Sequence, residues 1–448
     1  MAEPTRLVVY VVHCVDTEGP LYESLDATFD RLESIFGIRL AATVHNLQKL
    51  QSREIPLGGK EDVVASAVRS ELLHYNRDWS ELNAMLKEIM SADYRKRFPD
   101  SRGRGWVFNW HCVDHVGYEH NPRRRAIGYH AIFDHYNTLL QQTGAAEWDE
   151  INWHFHPMSV YREAHRCATS YGNSPHLYEI LCRRVIERKW FPCVNRAGFH
   201  AERPDSHWFL EQWIPFDLSN QAVEEDDTAE HADARAGRFG DWRRAPAHWC
   251  VYHPSHDDYQ VPGACRRVIG RCLNVDTRFR NLTEAECDKA FRRAQAGEPT
   301  LLGVCSHDFR DIRLDVERVY ALLTRSMKRH PDVEVVHSRA TDAFRAVLGW
   351  DPTSHQPLLL GAEVQQHETG RRVLTVRTAR GMVFGPQPFL AIEMRGGRFV
   401  HDNLDWTLEP GTWTYTFDAD SVHPHDVRRL AVVANDTMGF QSLCQIDF

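Results

Sequence analysis

Apolar runs alternate with amphipathic segments along most of the chain. Residues 7–12 form a continuous, largely β-branched run, which is typical of a strand buried on both faces of a parallel sheet. Segments with apolar residues three and four positions apart, such as 316–328, predict helices that cover such a sheet. The predicted strands are 7–12, 38–44, 106–115, 150–156, 191–195, 216–222, 301–305 and 333–336. The predicted helices are 28–36, 60–97, 129–142, 175–188, 283–296, 316–328 and 340–348. The alternation indicates an α/β fold with a parallel sheet or barrel.

The pattern changes after a Pro-, Thr- and Ser-containing linker at 351–357. Short alternating runs at 372–378, 389–394, 413–417 and 430–435 are separated by Gly, Pro and Asp turns. Such spacing is typical of a small all-β sandwich. We therefore divide the chain into a (β/α) domain at 1–350 and a β-sandwich-like accessory domain at 351–448.

Composition narrows the class of protein. The 448 residues are 42% hydrophobic and 26% charged, as in ordinary globular proteins, and the net charge of -9 argues mildly against a nucleic-acid partner. The cysteine count is odd, at eleven, and no C-x-x-C pair occurs. Both facts argue against a disulfide framework and against a cysteine-rich zinc ribbon. We expect no signal peptide and no membrane span, hence a cytoplasmic protein. Residues 224–231 are acidic and predict an exposed loop.

Two histidines one residue apart are the strongest candidate for chemistry. His154 and His156 end an apolar run, and Pro157 follows them. On a strand, residues i and i+2 point to the same face, so both imidazoles are predicted to converge. Neutral imidazole is the commonest protein ligand for zinc, but a catalytic metal needs about three protein ligands. The rest of the chain must supply a carboxylate or another histidine.

Polar residues also follow other predicted strands. Asp16 and Glu18 come after the first strand, Arg196 follows the run at 191–195, and His307 and Asp308 follow the run at 301–305. The carboxyl ends of parallel strands meet at one edge, where α/β folds place their chemistry. Each has a plainer alternative: a helix cap for the acidic pair, an ordinary core histidine, or a structural arginine.

Further polar residues are candidates for the rim of the same cleft. Asp114, His115 and Tyr118 follow the strand at 106–115, and Tyr252 lies in an irregular stretch rich in aromatic residues, His and Asp. We predict that these four bind substrate. The arginine run at 122–125 either holds an anionic group or forms a solvated face.

Four motifs occur in a fixed order: acidic at 15–19, two-histidine at 153–157, arginine at 196–198 and late histidine at 305–308. With them the chain resembles the polysaccharide deacetylase superfamily, also called NodB-homology or carbohydrate esterase family four, over residues 7–348. It departs from the family pattern in three ways. Asp-x-Glu stands where adjacent aspartates are common, His-x-His stands where a spacing of four is common, and segment 55–105 is extra.

The resemblance implies an irregular (β/α) barrel and one divalent metal, zinc first, with cobalt, nickel or manganese as alternatives. The implied metal ligands are Glu18, His154 and His156. Asp16 would be the general base and His307 the general acid, with Arg196 orienting Asp16. Asp308 or another carboxylate would keep His307 charged.

The function implied by the resemblance is a metal-dependent deacetylase that hydrolyses the N-acetyl or other N-acyl group of an amino sugar or related small molecule. One alternative is hydrolysis of another C–N bond, in an N-formyl group or a cyclic amide. Another is a catalytically inactive glycan-binding protein whose β domain carries recognition. The β domain is equally compatible with packing or dimerisation, so a homo-oligomer is left open.

Overall fold

The fold is described from a computed structural model covering residues 7–164, 166–224, 239–366, 368 and 371–448. Of the predicted acidic loop at 224–231, all but the first residue lies outside the described residues. All eleven cysteines fall within the described ranges, and each is a free thiol. Among the described helices, none has both the length and the apolar character needed to cross a membrane.

Seven parallel strands close into a barrel. Their order is β2-β3-β4-β5-β6-β7-β1, and β1 also pairs with β2, which closes the ring. An eighth strand, β8, pairs with Val8–Val11 of β1, and β2 pairs with His13–Thr17 of β1. The strands are β1 Val8–Thr17, β2 Phe108–Cys112, β3 Glu150–Phe155, β4 Val194–Ala197, β5 Phe216–Asn220, β6 Val268–Asn274, β7 Thr300–His307 and β8 Glu334–His337.

Helices cover the outside of the barrel. The last long helix, for example, buries Val316, Val319 and Leu323 in a cluster that also contains Leu302 and Val304 of β7, as its apolar spacing predicts. The described helices are α1 Leu25–Phe36, α2 Val44–Gln51, α3 Glu61–Ala67, α4 Ser70–Leu73, α5 Trp79–Ile89, α6 Ala92–Lys96, α7 Ala131–Thr143, α8 Leu177–Arg188, α9 Pro204–Trp213, α10 Glu284–Gln295, α11 Ile312–Arg329 and α12 Ala340–Val347.

Three sequence-based assignments are wrong. The predicted strand at 38–44 is irregular chain leading into α2, and its apolar residues pack with α1 and α3 in a small helical cluster. The predicted helix at 60–97 is four helices, α3 to α6. The strand β6 was not predicted, because Gly270 and Arg271 interrupt its apolar run; Arg271 is buried by pairing with Glu286 at 2.5 Å.

The last ninety residues form two four-stranded antiparallel sheets, in the orders β13-β14-β10-β9 and β12-β11-β15-β16. Leu374 and Val376 of one sheet share an apolar cluster with Leu390 and Ile392 of the other. The strands are β9 Leu359–Gln366, β10 Arg372–Arg380, β11 Phe389–Met394, β12 Phe399–Asp402, β13 Asp405–Trp406, β14 Thr412–Phe417, β15 Val427–Asn435 and β16 Gln441–Asp447. An α/β barrel followed by antiparallel sheets is thus confirmed.

The second sheet also packs against the barrel. Ala431 and Val433 of β15 lie in one apolar cluster with Leu181 of α8 and Leu210 of α9, while their neighbours along the strand face the other sheet. Asn435 donates to the main-chain oxygen of Trp213 at 3.1 Å. The division into domains at residue 350 stays a prediction, because one apolar cluster runs through both parts.

Candidate functional site

A cavity of about 940 Å³ lies at the carboxyl ends of β1, β3 and β7. Five residues predicted from the motifs line it: Asp16, Glu18, His154, His156 and His307. Their strands are neighbours or near neighbours in the barrel, so residues far apart in sequence meet at one rim. A volume of this size suits a small-molecule ligand.

The two histidines of β3 converge as their spacing predicts. Their Nε2 atoms are 2.7 Å apart. His154 Nδ1 lies 2.7 Å from the main-chain oxygen of Arg196, which can only accept, so Nδ1 carries a proton and donates it. Nε2 is then the ring nitrogen of His154 that faces His156. A hydrogen bond from the other ring nitrogen to a carbonyl oxygen, as here to Arg196, is the kind that orients metal-binding histidines.

Glu18 completes a possible ligand set. Its Oε1 lies 3.9 Å from His156 Nε2, and one ligand atom from each of Glu18, His154 and His156 falls within 4.8 Å of the others. Burial alone would raise the pKa of Glu18, but Arg125, 2.6 Å from Oε2, and His156 hold it well below its usual range. Burial lowers the pKa of His156 to about 3, so the ring is uncharged at neutral pH. Two imidazoles and a carboxylate are a donor set that fits a catalytic divalent metal.

Asp16 lies beside this group but is not part of it. Its Oδ1 accepts from Arg196 Nε at 2.7 Å, and its Oδ2 lies 3.7 Å from His307 Nε2. Burial would raise the pKa of Asp16, yet Arg196, His154 and His307 together hold it well below the usual range. The side chain is therefore an ionised carboxylate, held by an arginine as the resemblance implies.

His307 is an uncharged imidazole in this arrangement. Burial lowers its pKa to about 4, although the carboxylates of Asp16 and Glu18 act in the opposite direction. The carboxylate near its ring is Asp16, at 3.7 Å. The expectation that His307 rests in the charged form does not match these surroundings.

Asp308, predicted as a possible partner of His307, serves another purpose. Its oxygens accept from the main-chain N–H groups of Glu18 and Gly19 at 2.9 and 2.8 Å, and from the Tyr136 hydroxyl at 2.9 Å. Gly19 has a φ of 74°, a left-handed conformation that favours glycine. Burial raises the pKa of Asp308 to about 7. Asp308 is thus a positioning residue that fixes the backbone carrying Glu18.

Two of the four predicted substrate-binding residues face the protein interior. Asp114 pairs with Arg184 at 2.8 Å, with both side chains at most 1% exposed, and accepts from the main-chain N–H of His130 at 2.7 Å. His115 is 2% exposed, and its Nε2 lies 3.3 Å from the main-chain oxygen of Glu18. Neither lines the cavity, because Asp114 is directed to Arg184 and His115 to the main chain of Glu18.

The structure also places the two predicted tyrosines away from the cavity. The Tyr252 hydroxyl donates to the main-chain oxygen of Tyr259 at 2.7 Å, within an apolar cluster that includes Trp242. Tyr118 is half-buried, with its ring 6.3 Å from that of His115. Both lie outside the lining of the cavity.

The arginine motif also contains a glycine, Gly198, that makes room for His156. A Cβ atom on Gly198 would lie 2.7 Å from His156 Cδ2, so only glycine leaves room for the ring. Phe199 and His200 follow with φ values of 54° and 51°, an uncommon pair for residues other than glycine. The turn places His200 Nε2 3.0 Å from Arg196 Nη2. Gly198, two residues after Arg196, was the feature of the sequence that could have indicated this close approach to His156.

A second group of metal-ligating types lies on the outside of the barrel, where Glu211 of α9 meets His256 and Cys265. His256 Nδ1 is 2.9 Å from Glu211 Oε1, and Arg266 Nη1 approaches the same oxygen at 3.4 Å. The His256 side chain is 58% exposed. Because its histidine is exposed and none of its three members lines the cavity, we interpret this group as part of an ion-pair network outside the candidate site.

Comparison of the chain with models of protein families, with curated proteins and with solved structures finds no match. The resemblance to the polysaccharide deacetylases therefore stays a prediction. The side chains gathered at the cavity are what indicates a function.

Proposed function

We propose that this protein is a metal-dependent amidohydrolase that removes the N-acetyl or another N-acyl group from an amino sugar or related small molecule. One observation carries the proposal. A three-residue donor set, Glu18, His154 and His156, and a separate proton-handling pair, Asp16 and His307, line the same cavity. Hydrolysis of an amide needs both parts: activation of water and carbonyl, and delivery of a proton to the leaving nitrogen.

Glu18, His154 and His156 would hold a divalent metal, with zinc as the first candidate. When bound there, such an ion polarises a carbonyl oxygen and lowers the pKa of water toward about 7. The chain prepares the ligands through contacts with other residues. Arg196 orients His154 through its main-chain oxygen, Arg125 holds Glu18 ionised, and Asp308 fixes the backbone of Glu18.

Asp16 and His307 would handle the protons. As the water oxygen forms its bond to the acyl carbon, the ionised Asp16 accepts a water proton, and Arg196 keeps the carboxylate in place. His307 Nε2, 3.7 Å from Asp16 Oδ2, is close enough to receive that proton after a small side-chain movement. The imidazolium then protonates the nitrogen as the C–N bond breaks. An uncharged resting His307 suits this relay, because it must first accept the proton it gives.

The proposal is tested by incubating the metal-loaded protein with N-acetyl, N-formyl and cyclic-amide compounds, and measuring acetate, formate and free amine. Acetate with an equal amount of amine supports the deacetylase. Formate or a ring-opened product selects the alternative C–N hydrolase. Binding of amino sugars without any product, with a metal bound, would contradict hydrolysis and favour a glycan-binding protein. His307→Gln serves as the paired variant, expected to retain the metal and lose turnover.

A further inference from the structure

One wall of the cavity is rich in arginine. Arg31 of α1 and Arg123 lie on either side of Glu23, and Arg310 follows His307 closely in sequence. We name Arg31, Arg123 and Arg310 the arginine wall. All three line the cavity that contains the candidate metal ligands, and all three are half-buried.

Glu23 is the carboxylate that two of these arginines share. Its Oε2 lies 3.2 Å from Arg31 Nη2, its Oε1 lies 2.9 Å from Arg123 Nη2, and the Tyr75 hydroxyl donates to it at 3.0 Å. The Glu23 side chain is 1% exposed, while both arginine side chains are 21% exposed. Glu23 therefore anchors both arginines from behind, and both side chains also line the cavity.

Arg310 has no carboxylate of its own. Its guanidinium lies 5.2 Å from the centre of the Phe309 ring, and among the described residues it has neither an ion pair nor a side-chain hydrogen bond. Its main-chain N–H donates to the main-chain oxygen of His307 at 3.2 Å, which ties its position to the proton-handling residue. The charge of Arg310 opposes the rise that burial causes in the pKa of Asp315, yet no carboxylate among the described residues forms a direct ion pair with it. A half-buried cation without a direct ion pair is stabilised when a ligand or solvent supplies an anion.

The carboxylates at the candidate metal site do not neutralise the arginine wall. Asp16 is already paired with Arg196 at 2.7 Å, and Glu18 with Arg125 at 2.6 Å. The Arg125 guanidinium also lies near the Phe309 ring, 5.1 Å from its centre. Arg310 is thus the member of the wall whose charge no ion pair among the described residues neutralises, and it lines the cavity that an anion would enter.

We propose that the arginine wall binds an anionic group of the substrate, a carboxylate or a phosphate, while the acyl group lies at Glu18, His154 and His156. Guanidinium groups match the oxygens of both anions and form strong charge-assisted hydrogen bonds with them. This inference rests on the proposed function and narrows its substrate to N-acyl compounds that carry a negative charge.

The first test measures anion binding without any reaction. Inorganic phosphate and acetate are titrated calorimetrically into wild type, Arg310→Gln, His156→Ala and Arg398→Gln at constant ionic strength. Arg310→Gln leaves no carboxylate unpaired, so the fold is expected to survive, and the thermal midpoint verifies this. Arg398, exposed in the β-sandwich, is the charge-matched control. Whichever anion binds better identifies the phosphate or carboxylate class.

We expect wild type, Arg398→Gln and His156→Ala to bind the preferred anion alike, and Arg310→Gln to bind it about tenfold more weakly. Retention in His156→Ala separates this inference from the metal site. If neither anion binds to wild type, or if Arg310→Gln binds as wild type does, the wall is not an anion site. Loss of binding in His156→Ala alone would assign the anion to the metal site, which overturns the wall and leaves the proposed hydrolase intact.

The second test compares matched substrates. An N-acetyl amino sugar and its phosphorylated and carboxylated counterparts are hydrolysed by wild type and Arg310→Gln. The wall predicts a KM for the charged compound at least tenfold lower than for the neutral one in wild type, and a difference much reduced in Arg310→Gln with little change in kcat. Equal KM values for neutral and charged substrates would overturn the inference while leaving hydrolysis established.

Discussion

The barrel and the β-sandwich both bury carboxylates, but in different surroundings. In the sandwich, Glu393 is paired with Arg428 at 2.9 Å and with Arg429, all on adjacent strands. In the barrel, Asp16 shares its oxygens with Arg196 and His307 and faces a cavity. A carboxylate neutralised within its own sheet contributes to folding alone. One that shares its charge with histidines at a cavity has groups able to exchange protons.

The largest effect is expected from Asp16→Asn, which removes a proton acceptor from the cavity. An amide cannot take a proton from water, so turnover should fall by roughly 10²–10⁴-fold, while the metal stays bound because Asp16 is outside the donor set. Rates of acyl release and metal content check both parts. The control is Asp436→Asn, since Asp436 is buried in the sandwich and accepts from the N–H groups of Met438 and Phe440 at 2.9 Å.

Asp436→Asn should lower stability and leave the rate per folded molecule unchanged. Loss of metal from Asp16→Asn would move Asp16 into the ligand set. A normal rate in Asp16→Asn would remove it from the reaction.

The next effect concerns a buried pair behind the cavity. Asp114→Asn leaves the fully buried Arg184 without its counter-ion, and should reduce the free energy of unfolding by about 3–5 kcal/mol. Because Asp114 does not line the cavity, KM should be unchanged. Urea unfolding is compared with Asp134→Asn, whose partly exposed pair with Arg188 should contribute below about 1 kcal/mol. A raised KM with normal stability would restore Asp114 as a substrate-binding residue.

A smaller effect is expected at the glycine beside His156. The Cβ added by Gly198→Ala would lie 2.8 Å from the main-chain oxygen of Phe155 as well as against the histidine ring. Stability should fall by about 1–3 kcal/mol, and metal affinity should fall because the ring is displaced. Gly361→Ala in the sandwich, with open space at its Cβ position, should change neither. Metal titration of both variants measures this difference in affinity. Equal affinities would show that the position of His156 does not depend on the glycine at 198.

The smallest effect is a dependence of stability on pH. The folded protein holds the pKa of Asp16 below its unfolded value of about 3.9, so the stabilisation by Asp16 is complete above that pH and declines as pH falls further. The destabilisation caused by Asp16→Asn should therefore shrink between about pH 5 and pH 2. Thermal midpoints across this range test the sign. A cost that stays constant with pH would mean that the charge of Asp16 does not stabilise the fold.

The sequence reveals the candidate metal-ligating histidines because their relation is local. Two residues apart on a strand, His154 and His156 must share a face, and the structure brings their nitrogens together. The strand β6 is not predicted from the sequence, because Arg271 has the character of a surface residue and its buried partner Glu286 lies on a different element. Burial of a charge depends on a partner that local patterning does not identify.

The predicted substrate-binding residues lie outside the cavity lining for a related reason. A position just after a strand indicates the edge of the sheet but not the direction of the side chain. Asp114 turns inward because Arg184, seventy residues later, offers a buried partner. Arg125, by contrast, reaches Glu18, although a sequence run of this kind more often forms a solvated face.

The most direct test of the account is the metal content of purified protein by mass spectrometry, in wild type, His156→Ala and His401→Ala. His401, a half-buried histidine of the sandwich whose Nδ1 lies 2.8 Å from the Leu390 oxygen, is the matched control. We expect about one divalent ion per chain in wild type and His401→Ala, and none in His156→Ala. No ion in wild type after incubation with zinc, cobalt, nickel or manganese, or full retention in His156→Ala, would contradict the account.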